Sequence, residues 1–334
     1  MSRRLHIFNP DTDFALAAKS DFYTPPRSVA TLRDRNALFP ATYAKEGDAI
    51  LILNPAGSGD LTHLPWHDTA TRKGLETIVL TEKETGRDFS DFTAWPWGWN
   101  RVIRRFLSDN FPSLRGVPDT GAIERITALS HRRTTIAMHR LMRCSLTDGI
   151  GEPREFLDTE EAMAAFREER DMFFKMPWSS SGRGIIRTDD LTERHVEPWV
   201  RGAIANQGSV MGEKALDKTL DFATEWVCGN GEVRFMGYSV FETSRRGKYK
   251  RNIDATQAGL LDMIRGAAPG FGNDMIELQR DAIAEVVAPG YSGPLGIDML
   301  ATDDGRINPC VEMNLRMTMG MGRGMLNGEW GMLN

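Results

Sequence analysis

The sequence predicts a mixed α/β chain of two or three structural units, on three observations. Short apolar strands near the start stop in Asn/Pro/Gly loops and alternate with helical stretches. A period-two strand pair surrounds Asn230-Gly231, and another, across residues 293–316, surrounds Asp303-Asp304-Gly305.

Residues 5–8 read as a buried strand that leaves through Asn9-Pro10-Asp11-Thr12-Asp13. Residues 49–53 repeat the pattern and end at Asn54-Pro55-Ala56-Gly57. Strands that end alike gather their loops at one sheet edge, as in a Rossmann-like α/β layer. Neither loop has the glycine spacing of a dinucleotide fingerprint, so a dinucleotide cofactor is not expected. The aromatic run Trp95-Pro96-Trp97-Gly98-Trp99 is either the floor of a substrate pocket or a packed corner. Helical periodicity covers residues 101–109 and 121–143, broken at Pro112 and Pro118, which places the first boundary near 118. Arg101, Arg104 and Arg105 read as the solvated face of the first of these helices. In the second, Arg132 and Arg133 precede an apolar stripe of Ile136, Met138 and Leu141, a pattern that surface arginines also give. A further helix over 159–167 opens with Thr159 and Glu161.

Residues 171–186 place Lys175 at a strand end, followed by Ser179-Ser180-Ser181-Gly182-Arg183-Gly184. Backbone N–H groups of such a loop can close over phosphate oxygens, because little side-chain bulk intervenes, while the lysine supplies a point charge. The lysine precedes the glycines, so this is not a P-loop. Residues 198–208 read as a Pro/Gly-containing bridge, and 209–216 as a strand running into an exposed connection. Residues 221–227 and 232–241 then form a hairpin about Asn230-Gly231. Arg245, Arg246, Lys248, Lys250 and Arg251 either meet an anionic substrate or form a solvated loop. A helix over 277–287 leads into the last hairpin, and residues 317–334 alternate Met and Gly without clear periodicity.

A three-residue turn with Gly305 left-handed sets Asp298 opposite Glu312, with Asn314 next on the same face. Two facing carboxylates repel, and the nearby Leu300 and Cys310 make plain solvation a poor remedy. A divalent cation removes the conflict. Oxygen donors without His or Cys suit magnesium or manganese, which on so few protein ligands takes the rest from water and phosphates, hence a nucleoside triphosphate. Pro309 disturbs the register of its strand.

Bulk composition constrains the partners. A net charge of -5 gives nucleic acid no electrostatic support. Three scattered cysteines, Cys144, Cys228 and Cys310, build neither a disulfide framework nor a zinc site, which implies the cytoplasm. The opening residues lack the apolar core of a signal peptide, and no stretch approaches a membrane span.

Taken in order, residues 120–320 resemble the ATP-grasp superfamily, above all its carboxylate-amine ligases such as D-alanine-D-alanine ligase. The likeness rests on Lys175, the small-residue loop after it, Glu213-Lys214-Ala215-Leu216, and the set Asp298, Glu312-Met313-Asn314. It implies an ATP-grasp fold of two subdomains, 118–212 and 213–334, gripping the nucleotide, after a pre-ATP-grasp domain over 1–117. It further implies that Lys175, Ser180, Ser181, Gly182 and Gly184 meet the phosphates. Glu213, Lys214 and Leu216 would form the adenine hinge, and Asp221 would bind the ribose. Either Arg132 or Arg133 would supply an upstream cation. Asp298, Glu312 and Asn314 would hold Mg²⁺ or Mn²⁺. The implied reaction is activation of a carboxylate as an acyl phosphate by ATP, then attack by an amine, with Arg316 and Lys175 as catalytic residues. Amino acids or short peptides are the implied substrates, and a homodimer the implied assembly. The rivals are an ATP-grasp kinase acting on a small molecule and a nucleotide-binding regulatory protein without chemistry.

Overall fold

A computed structural model describes residues 3–53, 61–80, 84, 86–179 and 182–326. The loop expected at 54–57, together with Ser180 and Ser181, lies outside the described residues. The chain forms two compact units, 1–127 with 322–334, and 128–321.

The first unit holds a parallel sheet of β1 (Arg3–Ile7), β2 (Ala49–Ile52), β3 (Glu76–Val79) and β4 (Phe92–Pro96), in the order β3-β2-β1-β4. Every residue of β2 is buried. Ala49 and Leu51 join one core with Phe89, Leu107 and Phe111, while Ile50 and Ile52 join another with Leu38, Ala41 and Leu75. A strand apolar on both faces is what a parallel sheet covered on both sides demands. Its helices are α1 (Thr12–Ala18), α2 (Arg27–Arg35), α3 (His67–Arg72), α4 (Arg101–Asn110) and α5 (Thr120–Leu129), the last reaching the boundary. Pro96 ends the edge strand β4, where a missing N–H costs least. Trp97, just past it, is buried edge-on against Phe8 and Phe39, with ring centroids 5.1 and 5.6 Å apart. Trp97 thus lies in a packed corner.

The second unit has two antiparallel sheets. The smaller is β5 (Arg154–Phe156), β6 (Met172–Lys175), β7 (Ile185–Arg187) and β8 (Val210–Lys214), ordered β5-β8-β6-β7. Phe166 of α7 (Thr159–Glu168) and Val196 and Val200 of α8 (Glu193–Gln207) pack with Phe156, Phe174 and Val210. Asp158 caps α7 by accepting from the Glu160 N–H at 2.7 Å. The larger sheet comprises β9 (Lys218–Gly229), β10 (Glu232–Thr243), β11 (Tyr249–Asn252), β12 (Gly293–Thr302) and β13 (Ile307–Asn314), ordered β11-β10-β9-β12-β13. Leu295, Ile297, Met299 and Ala301 of β12 are buried among apolar residues, and α6 (Thr134–Leu141), α9 (Gln257–Ala267) and α10 (Asn273–Val286) pack within this half. Gly296, Asp298 and Leu300 alternate with them on the opposite face.

Three stretches depart from the sequence reading. The helix expected over 121–143 is two, α5 and α6. The Arg132 N–H leaves the helical ladder for the Pro177 carbonyl at 3.1 Å, and a tertiary bond overrides local propensity. The bridge expected at 198–208 belongs to α8. Val196, Val200 and Ala203 share one buried face, and that burial outweighs the ladder bond lost at Pro198. The Met/Gly tail contains α11 (Met319–Leu326), where Met317 and Met321 are fully buried and the Thr318 hydroxyl oxygen accepts from the Met321 N–H at 3.0 Å. Among the described residues no helix is long and apolar enough to cross a membrane.

Candidate active site

The larger sheet positions the site through its register. The Asn230-Gly231 turn, with both residues at positive φ, closes β9 on β10. Gly305, at φ +80°, closes β12 on β13. Ser239, Ala223, Asp298 and Glu312 then lie side by side across four strands, and Asp298 faces Glu312. One row along come Glu225, Gly296 and Asn314, and on the other side Phe241, Asp221, Leu300 and Asn308. Opposed residues point to one face of a sheet, so all these side chains share it. The register slips between Asp298 and Leu300, opposite the segment that contains Pro309.

A cavity of 420 Å³ opens on this face. Phe173, Ile185, Leu216 and Leu300 supply apolar lining, and Lys175, Asp298 and Glu312 supply polar lining. Glu213, Lys214 and Asp221 also reach it. Lys175 is buried and ion-paired with Glu213. Asp221 Oδ2 accepts from Lys218 Nζ at 2.6 Å and from the Thr243 hydroxyl at 2.7 Å. Lys214 turns its ammonium to Glu169 at 2.9 Å.

The two candidate arginines separate. Arg132 is 5% exposed and donates to Glu312 Oε1 at 2.6 Å, to the Met176 carbonyl at 2.6 Å and to the Ser179 hydroxyl at 2.8 Å. Arg133 is half exposed and pairs with Glu155 at 3.1 Å. Gly182 and Gly184 lie at φ +74° and +69° in the turn after Lys175. A Cβ on Gly182 would sit 2.6 Å from Lys248 Cα, so this turn packs against the turn after β10. In the basic run, Arg245 pairs with Asp189, Arg246 with Asp190 at 3.3 Å and Arg251 with Glu242 at 2.5 Å. Arg246 and Arg251 are solvated ion pairs of small energetic weight, whereas Arg245 also lines the cavity.

Asp298 is the electrostatic focus. Burial holds its carboxyl well above the ordinary range, and the charges of Glu312 and Glu225 push the same way against Arg316 and an Asn314 hydrogen bond. Arg316, just past β13, donates to Asn314 Oδ1 at 2.7 Å. Among the described residues no three His, Cys, Asp or Glu side chains converge on a point that would hold an ion. The available set is two carboxylates and an amide oxygen. Arg132 is committed to Glu312, and the charge of Arg316 opposes the rise at Asp298 without cancelling it, so the facing carboxylates leave negative charge for a cation to offset, and an all-oxygen set fits a hard divalent ion that keeps water and phosphate ligands.

One residue of this face was missed in the sequence. Glu225 is 1% exposed, and burial pushes its carboxyl up to about 7. Its Oε1 accepts from the Ser239 hydroxyl at 2.9 Å, and the Thr318 hydroxyl is a further partner. The signal was its period-two spacing from Asp221 on β9.

No family model matches the sequence, and no curated protein matches it. Solved structures do match. Biotin carboxylase of Campylobacter jejuni, complexed with β-γ-ATP, superposes at TM-score 0.55 and 13% identity, over 100% of this chain and 72% of that one. The biotin carboxylase domain of Hydrogenobacter thermophilus 2-oxoglutarate carboxylase, with MgADP, ADP and bicarbonate, gives 0.54 and 14%, over 99% and 71%. The N5-carboxyaminoimidazole synthetase of Staphylococcus aureus, complexed with ADP, gives 0.51 and 12%, over 95% and 71%. The chain has the ATP-grasp fold. At these identities the likeness is one of architecture. Within that ATP-grasp architecture the second unit supplies the paired antiparallel sheets, and the cavity is lined from both of them.

Proposed function

We propose that the chain is an ATP-dependent carboxylate-amine ligase that forms an amide through an acyl phosphate. The observation that carries this reading is the half-buried Asp298 facing Glu312 in a 420 Å³ cavity that Lys175 and apolar side chains also line. Phosphoryl transfer asks little covalent help of a protein; it needs charge compensation and held geometry.

The apolar lining takes the adenine beside the 213–216 hinge, Asp221 takes a ribose hydroxyl, and Lys175 and Arg132 face the phosphates. Gly182, Gly184, Ser180 and Ser181 form the phosphate cover, and Arg133 is left to Glu155. Asp298, Glu312 and Asn314 would hold magnesium, or manganese, which when bound neutralises phosphate-oxygen charge. A substrate carboxylate oxygen attacks the γ-phosphorus and ADP leaves. The amine nitrogen then attacks the acyl carbon, phosphate leaves, and the nitrogen gives up a proton. Arg316, anchored on Asn314, would stabilise the oxyanion of that second step. No side-chain nucleophile is required. Amino acids or short peptides in the cytoplasm are the substrates this reading favours, and the working parts are 1–117, 118–212 and 213–334.

Glu312→Gln is the decisive variant, because it keeps a hydrogen-bond acceptor for the buried Arg132 while removing the charge. It should fold and lose at least ~100-fold in amine-dependent phosphate release from ATP, the scale of one lost electrostatic group. Turnover within a few-fold of wild type would overturn the assignment.

A further inference from the structure

Resting on the ligase reading above, the inference concerns Glu225. This residue occupies the same sheet face as Asp298 and Glu312, one row further from Asp221. A nucleotide whose ribose meets Asp221 and whose phosphates meet the Asp298 row extends toward the Glu225 row. That row is therefore where the non-nucleotide substrates lie. It contains Gly237, Glu225, Gly296 and Asn314, so apart from Asn314 the carboxylate is its only side chain.

The surroundings of Glu225 are asymmetric. Oε1 is satisfied by Ser239, whereas Oε2 is buried without a partner among the described residues. A Cβ on Gly296 would lie 2.7 Å from Oε2, and one on Gly320 2.5 Å from Oε1. Two positions thus lack a side chain where one would crowd the carboxylate. The partners drawn to Glu225 are hydroxyls, with Arg316 acting only at longer range. A buried carboxylate oxygen without a donor is costly, which marks it as a group awaiting one.

We propose that Glu225 selects the amine substrate, its Oε2 accepting a hydrogen bond from the ammonium group of a primary amine and then taking the proton that this nitrogen must lose before it can attack. The turn carrying Thr318 and Gly320 covers Glu225, with the Thr318 methyl standing beside Oε2 above Gly296, so the amine enters by displacing this turn. The ammonium sets a positive charge directly against Oε2, where Arg316 acts from further away, and this favours a cationic amine over a neutral one.

The test compares two nucleophiles on the full chain. A panel of amino acids, dipeptides and polyamines is screened for ATP-dependent phosphate release with carboxylates drawn from the same panel. Hydroxylamine, uncharged in mildly alkaline buffer, is the neutral probe and is read as hydroxamate. Glu225→Gln should raise KM for the cationic amine about 10–100-fold, the weight of one charged hydrogen bond. It should leave hydroxamate formation and Mg·ATP affinity within about threefold, because a neutral amine has no surplus proton to give up and brings no positive charge, so it loses no ion pair when the carboxylate charge is removed. Glu225→Asp, which keeps the charge, should recover part of the loss and serves as the informative variant if the glutamine form does not fold. Equal losses for both nucleophiles would make Glu225 a structural anchor of the turn and overturn the proposal. So would an unchanged amine KM, or wild-type protein that binds Mg·ATP yet uses no amine of the panel. Failure of the wild type to bind Mg·ATP would instead sink the ligase reading itself.

Discussion

At the scale of single residues, buried charge decides both function and acid sensitivity. His6, in the first unit, is 1% exposed and bonds Asp48 at 2.9 Å. Burial lowers the pKa of His6 despite the Asp48 contact, while His6 and backbone N–H bonds hold Asp48 below the usual range against its own desolvation. The unfolded His6 takes up a proton near pH ~6.5 that the folded residue refuses, so stability is full above that pH and falls as pH drops below it. Asp48 adds a loss in stronger acid, since its depressed folded pKa gives stability present above the unfolded value. Hydrogen exchange at the Leu5 and Ile50 amides should therefore accelerate as pH falls below ~6.5, after correction for intrinsic rates. A His6→Phe variant should lose that dependence, and a flat profile in the wild type would contradict the account. Which residues matter was only partly legible in the sequence. The three-residue turn pairs Thr302 with Arg306 and Leu300 with Asn308, a register that alone would set Asp298 opposite Cys310; the shift beside Pro309 brings Glu312 there instead, and turn length and period two do not reveal that slip. The separation of Arg132 from Arg133 does not follow from local sequence either, because it depends on a bond to Pro177, 45 positions away.

At the scale of elements, local signals served where one face was buried and the turn chemistry was strong. The Asn230-Gly231 hairpin, β6 ending on Lys175 and the terminal hairpin are where the alternation of residues places them. Elements dictated by tertiary burial were not readable in this way. Helix α8 holds a proline, and α11 holds three glycines. The smaller sheet offers a sharp test of how closely its core is filled. Gly212, on β8, lies between two aromatic rings, and a Cβ there would meet Phe156 at 2.7 Å and Phe174 at 3.1 Å. Both rings are almost fully buried and have little room to yield. Gly212→Ala should therefore destabilise by about 1–3 kcal/mol, as overpacking does, in spite of alanine's better intrinsic preference for order. A urea midpoint equal to or above that of the wild type would show that the core relaxes at little cost.

At the scale of the whole molecule, the cavity residues all come from the second unit, and two sheets of that unit contribute to them: Phe173, Lys175 and Ile185 from one, Asp221, Asp298 and Glu312 from the other. A ligand touching both sheets is bound by the folded state and not by the unfolded chain, so binding adds RT ln(1 + [L]/Kd) to stability. At a hundred times Kd that is about 2.7 kcal/mol. Asp298 and Glu312 make the increment conditional on a cation, because a triphosphate without one brings its negative charge against two carboxylates. A non-hydrolysable ATP analogue with magnesium should thus slow hydrogen exchange in β6, β8, β12 and β13, and the analogue with a chelator should do so far less. Glu312→Gln should weaken the magnesium-dependent part while Lys175→Met weakens both, since the lysine answers phosphate charge whether or not the ion is present. Equal protection with and without magnesium would remove the ion from the Asp298 row and leave nucleotide binding to Lys175 and Arg132 alone.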